Sequence, residues 1–166
     1  MKLVKEINFQ LDEIDVVCES LLPLITQVEV VLLEGEMGAG KTTFMSHLVK
    51  ALGSKDHVTS PTYSLVNKYV LEDSSKEKNS IYHLDLFRLK SLEEAIDIGI
   101  EDILFSAQFV FIEWPELLVP YYEEMKLLQL QFKKINTYSR NITIFMNERI
   151  YIYYVLPNRL LIASIL

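Results

Sequence analysis

Glycine, lysine and threonine occur between residues 35 and 42 at a spacing that can hold phosphate groups. The segment reads Gly35-Glu36-Met37-Gly38-Ala39-Gly40-Lys41-Thr42, which is the complete pattern Gly-x-x-x-x-Gly-Lys-Thr. Glycines allow a backbone to approach an anion closely, since no Cβ stands in the way. Lys41 could then reach the β- and γ-phosphates of a nucleoside triphosphate, and the Thr42 hydroxyl could complete the shell of a Mg²⁺ ion. The pattern therefore predicts a site for a magnesium–nucleotide complex.

The sequence on either side of this loop favours the same interpretation. An apolar, β-type run over residues 28–33 leads into the loop, and a helical pattern over residues 42–52, closed by Gly53, leads out of it. A strand, a loop and a helix in this order direct backbone N–H groups and the positive end of a helix dipole at one point. These flanks disfavour the alternative of a glycine-rich turn before an ordinary helix.

Two further predicted strands each end on an acidic residue. Residues 81–85 finish on Asp85, and residues 109–113 finish on Glu113. Strand ends on the same edge of the sheet as the loop would bring both carboxylates near the phosphates. There either one could hold Mg²⁺, directly or through water, or orient the water that attacks the γ-phosphate. The alternatives are a turn cap for Asp85 and a solvated strand end for Glu113.

Three nearby features allow more than one interpretation. Segment 58–64 groups hydroxyl residues around a proline, a composition suited to a switch that orders on the γ-phosphate, or to a plain turn. Trp114 follows the second of the acidic strand ends, where aromatic side chains commonly serve as core or rim packing. His83 shares a strand face with Asp85, so it could orient that carboxylate or be a packed core histidine.

The composition limits the classes of function. The chain has 166 residues, half of them hydrophobic, and a formal net charge of −7 with a pI near 5.0. These values predict one globular domain with a real core. Because the basic residues are dispersed, we expect no strong direct binding to DNA or RNA by this chain alone, and any RNA that enters the function would be held by a partner subunit.

Cys18, the first residues and the last residues indicate the cellular compartment in which the protein is expected. Cys18 is the one cysteine and lies on an apolar helical stripe, which predicts a buried thiol and a reducing compartment. The first residues carry charge and lack a signal-peptide pattern, so we expect a cytoplasmic protein. Residues 150–166 form an apolar tail whose two stretches are too short to span a bilayer, and we expect this tail to pack on the same domain. The alternatives are a surface for a partner or for self-association, and contact with a membrane.

Strand-like and helix-like patterns alternate along the chain. They predict an α/β fold with a mostly parallel central sheet and antiparallel additions at either end. Besides the elements named above, the patterns predict strands at residues 4–9, 63–71, 127–135 and 141–147, a helix at residues 12–22 that stops near Pro23, and a short helix that opens at Ser91.

Four segments together resemble a known family. They are residues 33–43 (LEGEMGAGKTT), 60–63 (SPTY), 83–89 (HLDLFRL) and 113–114 (EW). The phosphate loop alone is shared by many families, whereas its combination with the other three segments is specific. On these segments the chain, over residues 1–149, resembles the TsaE (YjeE) family of small bacterial ATPases of tRNA threonylcarbamoyladenosine synthesis. Phe87 departs from the pattern, because the family usually has tyrosine there, and any hydrogen bond from that hydroxyl is lost.

The resemblance implies a P-loop NTPase-like three-layer α/β sandwich that binds ATP and Mg²⁺ and hydrolyses ATP weakly alone. It also implies docking on the TsaB–TsaD heterodimer, where hydrolysis supports repeated threonylcarbamoyl transfer to tRNA. Carried over by position, Thr42 and Glu113 would ligate Mg²⁺, Asp85 would be the acid essential for hydrolysis, and Trp114 would lie beside the nucleotide. Lys41 completes the catalytic set with the two acids. The residues expected to wrap the phosphates are Met37, Gly38, Ala39, Gly40, Lys41, Thr42 and Thr43.

Two other functions remain open on the sequence. One is a small-molecule kinase that uses the same phosphate loop and transfers the γ-phosphate to a metabolite. Such a kinase usually has a lid rich in arginine, whereas the arginines here are scattered over positions 88, 140, 149 and 159. The other is a non-catalytic switch that binds a nucleotide only to gate a partner. Turnover and phosphate transfer are the properties that separate the three possibilities.

Overall fold

Nine strands and five α-helices make up the part of the chain that the structure describes. The computed structural model describes residues 1–73, 78–122 and 124–147, together with the backbone of two strands at 150–156 and 159–165. The strands are β1 (Lys2–Gln10), β2 (Val30–Glu34), β3 (Val66–Val70), β4 (Ser80–Asp85), β5 (Phe109–Glu113), β6 (Leu127–Lys134), β7 (Ser139–Met146), β8 (Ile150–Leu156) and β9 (Arg159–Ile165). The helices are α1 (Ile14–Ile25), α2 (Lys41–Ala51), α3 (Leu92–Asp97), α4 (Ile100–Ser106) and α5 (Val119–Tyr122), with 3-10 turns at Leu11–Glu13 and Pro115–Leu118.

The first seven strands form one mixed sheet in the order β1-β7-β6-β2-β5-β4-β3. Its four central strands, β6, β2, β5 and β4, run parallel. β1 and β7 at one side and β3 at the other are antiparallel additions. β2 is buried except at Glu34, and β5 is buried throughout, because helices cover both strands on both sides. The predicted α/β class, with a parallel centre and antiparallel ends, is confirmed.

Two hydrophobic clusters lie on the two faces of the sheet and define three layers. One cluster joins α1 and α2 to alternate strand residues, for example Phe44 of α2 with Leu33 and Phe111 of the sheet. The other joins α3, α4 and α5 to the intervening strand residues, for example Ile100 of α4 with Ile112 of β5. The alternation of neighbouring strand residues between the two clusters follows from the pleat of a strand.

The second helical layer covers only the half of its face that belongs to β2, β5 and β4. On β6, buried apolar residues alternate with Gln129 and Gln131, which are half-buried and exposed. Among the described residues no helix covers the other half-face, formed by β1, β7 and β6, and polar side chains there are hydrogen-bonded to one another and to Glu34 at the end of β2. Gln129 Nε2 donates to Glu34 Oε1 at 2.6 Å, and Asn141 Nδ2 donates to Glu6 Oε1 at 2.8 Å. A hydrogen-bonded polar surface therefore stands where a full sandwich would have helices.

Two of the element boundaries predicted from the sequence are wrong. α1 continues through Pro23 to Ile25, because a proline near the end of a helix forfeits one hydrogen bond while the fully buried Ile25 holds the last turn in the core. β3 begins at Val66 rather than at residue 63. The preceding residues form a turn in which Leu65, at a φ of +63°, donates its N–H to the carbonyl of Pro61 at 2.7 Å.

Cys18 lies on the buried side of α1, facing α2, and is fully buried, as predicted. Burial raises the pKa of its thiol to about 12. Because thiol reagents attack the thiolate, we expect Ellman's reagent to label the native protein at least ~100-fold more slowly than the protein unfolded in guanidinium chloride. The absorbance of the released thiolate measures both rates, and rapid labelling of the native protein would contradict the buried position.

The predicted apolar tail, residues 150–166, contains a hairpin. β8 and β9 pair antiparallel in a separate two-stranded sheet, with Ile150 opposite Ile165 and Leu156 opposite Arg159. The side chains of the tail lie outside the described residues, so its packing on residues 1–149 stays a prediction. Within the described ranges, no helix combines the length and the apolar character needed to cross a bilayer.

Candidate active site

A cavity of ≈ 240 Å³ opens at the carboxyl ends of β2, β4 and β5, beside the loop that joins β2 to α2. Every site residue predicted from the sequence lines it except Ala39. That residue is buried and borders a second cavity of ≈ 450 Å³ on the other side of the loop. The predicted residues that line the first cavity are Met37, Gly38, Gly40, Lys41, Thr42, Thr43, Asp85, Glu113 and Trp114. Four more residues complete its lining: Ser60, Thr62, Phe87 and Arg140.

The loop, residues 35–40, takes a conformation that depends on glycine. The backbone φ angle is +140° at Gly35, +79° at Gly38 and +108° at Gly40, all in the region that residues with a Cβ rarely adopt. A Cβ on Gly35 would also lie 2.6 Å from the carbonyl oxygen of Phe132. Directly after the loop, α2 begins at Lys41 and runs for 11 residues, so the partial positive charge of its N-terminus borders the cavity. This arrangement suits a phosphate.

The ammonium group of Lys41 is held at the base of the loop. Its Nζ donates to the carbonyl oxygen of Gly35 at 2.8 Å and to that of Glu36 at 3.4 Å. It also lies 3.4 Å from Oε2 of Glu113 and 5.7 Å from the centre of the Trp114 ring. Only 6% of Lys41 is exposed, and a cation so buried needs partners of this kind.

Glu113, 5% exposed, is held by two side chains. Oε2 faces Lys41, and Oε1 accepts a hydrogen bond from Nε2 of the fully buried His83 at 3.0 Å. The sequence placed His83 beside Asp85, yet the structure pairs it with Glu113. The reason is the register of two neighbouring parallel strands: His83 stands opposite Phe111, which puts Glu113 one pleat further along on the same face.

Asp85, the last residue of β4, is hydrogen-bonded to segment 58–64. Its Oδ2 accepts a hydrogen bond from the Thr62 hydroxyl at 2.6 Å, and Thr62 is in turn 2.8 Å from the Ser60 hydroxyl. Its Oδ1 accepts a hydrogen bond from the backbone N–H of Phe87 at 3.1 Å. Asp85 therefore caps a turn, which was the structural alternative, and borders the cavity as well. The switch role of segment 58–64 stays a prediction.

Two aromatic side chains form one wall of the cavity. The ring centres of Phe87 and Trp114 are 5.0 Å apart. Trp114 has a φ of +56°, a left-handed conformation that is uncommon for a bulky residue, and the 3-10 turn Pro115–Leu118 follows it directly. The wall is apolar at Phe87, where the resemblance would have a tyrosine hydroxyl.

Arg140 is a cavity residue that the sequence-based site omits. It lies at the start of β7, is buried, and its Nη1 donates to the carbonyl oxygens of Asn136 at 2.8 Å and Ser139 at 2.9 Å. The Nε atom of Arg140 has no hydrogen-bond partner within the described part of the chain. It lies so close to the loop that a Cβ added to Gly40 would be 3.3 Å from it. The contact between Arg140 and the loop depends on the pairing of distant strands, so no local pattern in the sequence indicates it.

The donors around the cavity fit magnesium held jointly with a nucleotide. The Thr42 hydroxyl and the carboxylates of Asp85 and Glu113 are hard oxygen ligands of the kind that Mg²⁺ prefers. Mg²⁺ is usually bound by one or two such groups together with substrate phosphates rather than by an all-protein cage. Within the described ranges, no three His, Cys, Asp or Glu side chains are grouped closely enough to hold a metal ion. Binding of ATP and Mg²⁺ stays a prediction.

The fold and the loop define the class of protein. A parallel strand, a glycine loop carrying lysine and threonine, and a helix form a P-loop NTPase-like core, with two acidic strand ends at the same edge of the sheet. Within this class, the profile of the family described as "Threonylcarbamoyl adenosine biosynthesis protein TsaE" matches residues 10–142. The chain belongs to the TsaE family.

Individual relatives agree with this assignment. A protein of Treponema pallidum (strain Nichols), named tRNA threonylcarbamoyladenosine biosynthesis protein TsaE, is 37% identical over 93 residues, which cover 56% of this chain and 64% of that protein. A protein of the same name from Rickettsia conorii (strain ATCC VR-613 / Malish 7) is 33% identical over 123 residues, covering 73% and 66%. The matched part therefore spans less than two thirds of either relative. The crystal structure of Bacillus subtilis YdiB has a TM-score of 0.58 over 87% of this chain and 86% of that chain; at 22% identity it supports the fold.

Proposed function

We propose that this protein is the ATP-hydrolysing subunit of tRNA threonylcarbamoyladenosine modification and that it acts with a TsaB–TsaD complex. Membership of the TsaE family supports the pathway. One observation carries the activity: Lys41, Thr42, Asp85 and Glu113 come from three separate elements and line a single cavity. A lysine, a hydroxyl and two carboxylates around a glycine loop are the groups that P-loop enzymes use to hydrolyse a nucleoside triphosphate.

The loop and α2 bind the triphosphate in this proposal. Backbone N–H groups of residues 37–43 and the N-terminus of α2 hold the phosphate oxygens, and Lys41 neutralises charge at the γ-phosphate. Thr42 and Glu113 would hold Mg²⁺, which supplies further charge neutralisation when it is bound. Phe87 and Trp114 supply an apolar wall that limits the access of bulk water.

Asp85 orients the water that attacks the γ-phosphate. Its hydrogen bond from Thr62 links the carboxylate to segment 58–64, so a change in that segment would move the group that positions the water. Glu113, in contrast, is paired with Lys41 and is suited to the metal. A partner that orders segment 58–64 would complete the site, and this would make turnover slow in its absence.

The charge of the chain supports an indirect contact with tRNA. A net charge of −7 opposes binding to a polyanion, because affinity for nucleic acid comes largely from the neutralisation of phosphates by lysine and arginine. The tRNA would therefore lie on the partner subunits, and this protein would supply the energy of ATP hydrolysis to them.

The proposal is tested by phosphate release with and without TsaB–TsaD. We expect slow release by the protein alone and a rise of about tenfold or more with the partners, because partner contacts complete the site. Lys41→Ala should reduce release to background under both conditions. Lys50→Ala, which removes an exposed lysine from the same helix, is the matched control and should behave as the unchanged protein.

Other outcomes would replace the proposal. Transfer of the γ-phosphate to a metabolite would make the protein a small-molecule kinase. Nucleotide binding without turnover under every partner condition would make it a switch. No binding of ATP or ADP in the presence of Mg²⁺, measured by calorimetry, would remove the basis of all three functions.

A further inference from the structure

His83 is a buried polar residue with no role in the reaction as proposed. It lies on β4, none of its surface is exposed, and its Nε2 is 3.0 Å from Oε1 of Glu113. Its other ring nitrogen, Nδ1, is also buried and has no hydrogen-bond partner within the described part of the chain. A buried polar atom without a partner lowers stability, so a histidine at this position needs a reason beyond filling space.

The partner of Nε2 defines the role of that nitrogen. A carboxylate only accepts hydrogen bonds, so the contact with Glu113 places a proton on Nε2. His83 therefore donates its Nε2–H to Glu113.

This hydrogen bond determines where the two oxygens of Glu113 lie. Oε2 is 3.4 Å from the ammonium of Lys41, whose long side chain restrains direction weakly. The bond from His83 to Oε1 is shorter, comes from a rigid ring, and has a charged acceptor, which makes it strong and directional. We propose that His83 is a positioning residue: it holds Oε1 so that Oε2 faces Lys41 and the cavity. The inference rests on the proposed role of Glu113 as a magnesium ligand.

Two substitutions separate positioning from packing. His83→Phe keeps a ring of similar size and removes the donor. His83→Gln removes the ring and keeps an N–H group at the same number of bonds from Cβ, so it can still donate to Glu113. A histidine that only fills the core would tolerate phenylalanine better than glutamine, whereas a positioning donor would show the opposite order.

The control for general weakening of β4 is Ile81→Ala. Ile81 is fully buried and lies two residues earlier on the same face of the strand, away from the carboxyl edge. This substitution should lower the melting temperature and leave nucleotide binding and turnover close to those of the unchanged protein. It shows how much of any effect at His83 comes from lost packing alone.

The first readout needs neither metal nor turnover. In long-range ¹H–¹⁵N spectra of the unchanged protein we expect the His83 proton on Nε2, protected from exchange with water, and its resonance should shift in Glu113→Gln. The absence of a proton on Nε2, or an Nε2 proton that Glu113→Gln does not affect, would overturn the inference.

The second readout is the gain in ADP affinity that Mg²⁺ gives, measured by calorimetry. In His83→Phe we expect this gain to be smaller than in the unchanged protein by a factor of about ten or more, with the affinity for metal-free ADP unchanged. In His83→Gln we expect most of the gain to be restored. The kcat for phosphate release should follow the same order while KM for ATP changes little. Equal gains in the phenylalanine variant and the unchanged protein would overturn the inference.

Failure of this inference differs from failure of the proposed function. If Mg²⁺ gives the unchanged protein no gain in ADP affinity, the metal role of Glu113 fails, while the spectra still decide whether His83 holds the carboxylate. If the spectra and the binding order agree with expectation but no ATP is hydrolysed with any partner, the positioning stands and the hydrolytic function does not.

Discussion

Replacing Glu113 by glutamine should lower kcat for ATP hydrolysis by about 10²-fold or more and leave the fold intact. Glutamine has the same shape and can still accept the hydrogen bond from His83, but it lacks the charge proposed to hold Mg²⁺. Lys41 loses a carboxylate 3.4 Å away and keeps its bond to the Gly35 carbonyl. Phosphate release with TsaB–TsaD, at saturating ATP, measures the effect.

The affinity of Glu113→Gln for a nucleotide should rise when the metal is absent, whereas its kcat falls. The Glu113 carboxylate repels the phosphates of a metal-free nucleotide, so Glu113→Gln should bind ADP more tightly in the presence of EDTA, by about threefold to tenfold. Glu116→Gln is the matched control, because Glu116 is an exposed carboxylate three residues further along. Turnover by Glu113→Gln at the rate of the unchanged protein would show that the acid is not needed.

Replacing Gly35 by alanine should lower the free energy of unfolding by about 3 kcal/mol or more. A φ of +140° is a conformation that alanine strongly resists, and the new Cβ would lie 2.6 Å from the backbone carbonyl oxygen of Phe132. That oxygen belongs to β6 and cannot rotate away as a side chain could. Thermal unfolding followed by circular dichroism should show a Tm lower by roughly 6–12 °C.

Gly38 supplies the control for this change. Its φ is +79°, and a Cβ there would meet no atom within 4 Å. Gly38→Ala therefore carries the left-handed backbone cost alone, about 1–2 kcal/mol. Equal losses of stability in the two variants would mean that contact with Phe132 plays no part.

Local patterns were enough to predict the elements that carry their own signal. β5 has the bounds Phe109–Glu113 that its uninterrupted apolar run indicates, and the cavity lies where the loop and the two acidic strand ends predict it. The half-covered sheet also has a signal, the alternation Leu-Gln-Leu-Gln-Phe-Lys in β6, which is typical of a strand with one solvated face. That signal separates β6 from β2 and β5, whose apolar runs are continuous.

Contacts between distant elements could not be predicted in this way. The hydrogen bond between His83 and Glu113 requires β4 and β5 to be neighbours in a given register, and Arg140 reaches the loop only because β7 pairs with β6. α1 continues past Pro23 because tertiary packing of Ile25 outweighs the local preference of proline. In each case the deciding energy comes from residues far away in the sequence.

The half-face of β1, β7 and β6, which no helix of the described residues covers, should influence the order in which parts of the molecule unfold. Those strands are shielded by helices on one side only, so they have less apolar contact to lose than β2 and β5, which are shielded on both sides. We expect partial unfolding on this side of the sheet to start at the outer edge formed by β1. Lys41, Asp85 and Glu113 are carried by α2, β4 and β5, so we expect this opening to leave them together.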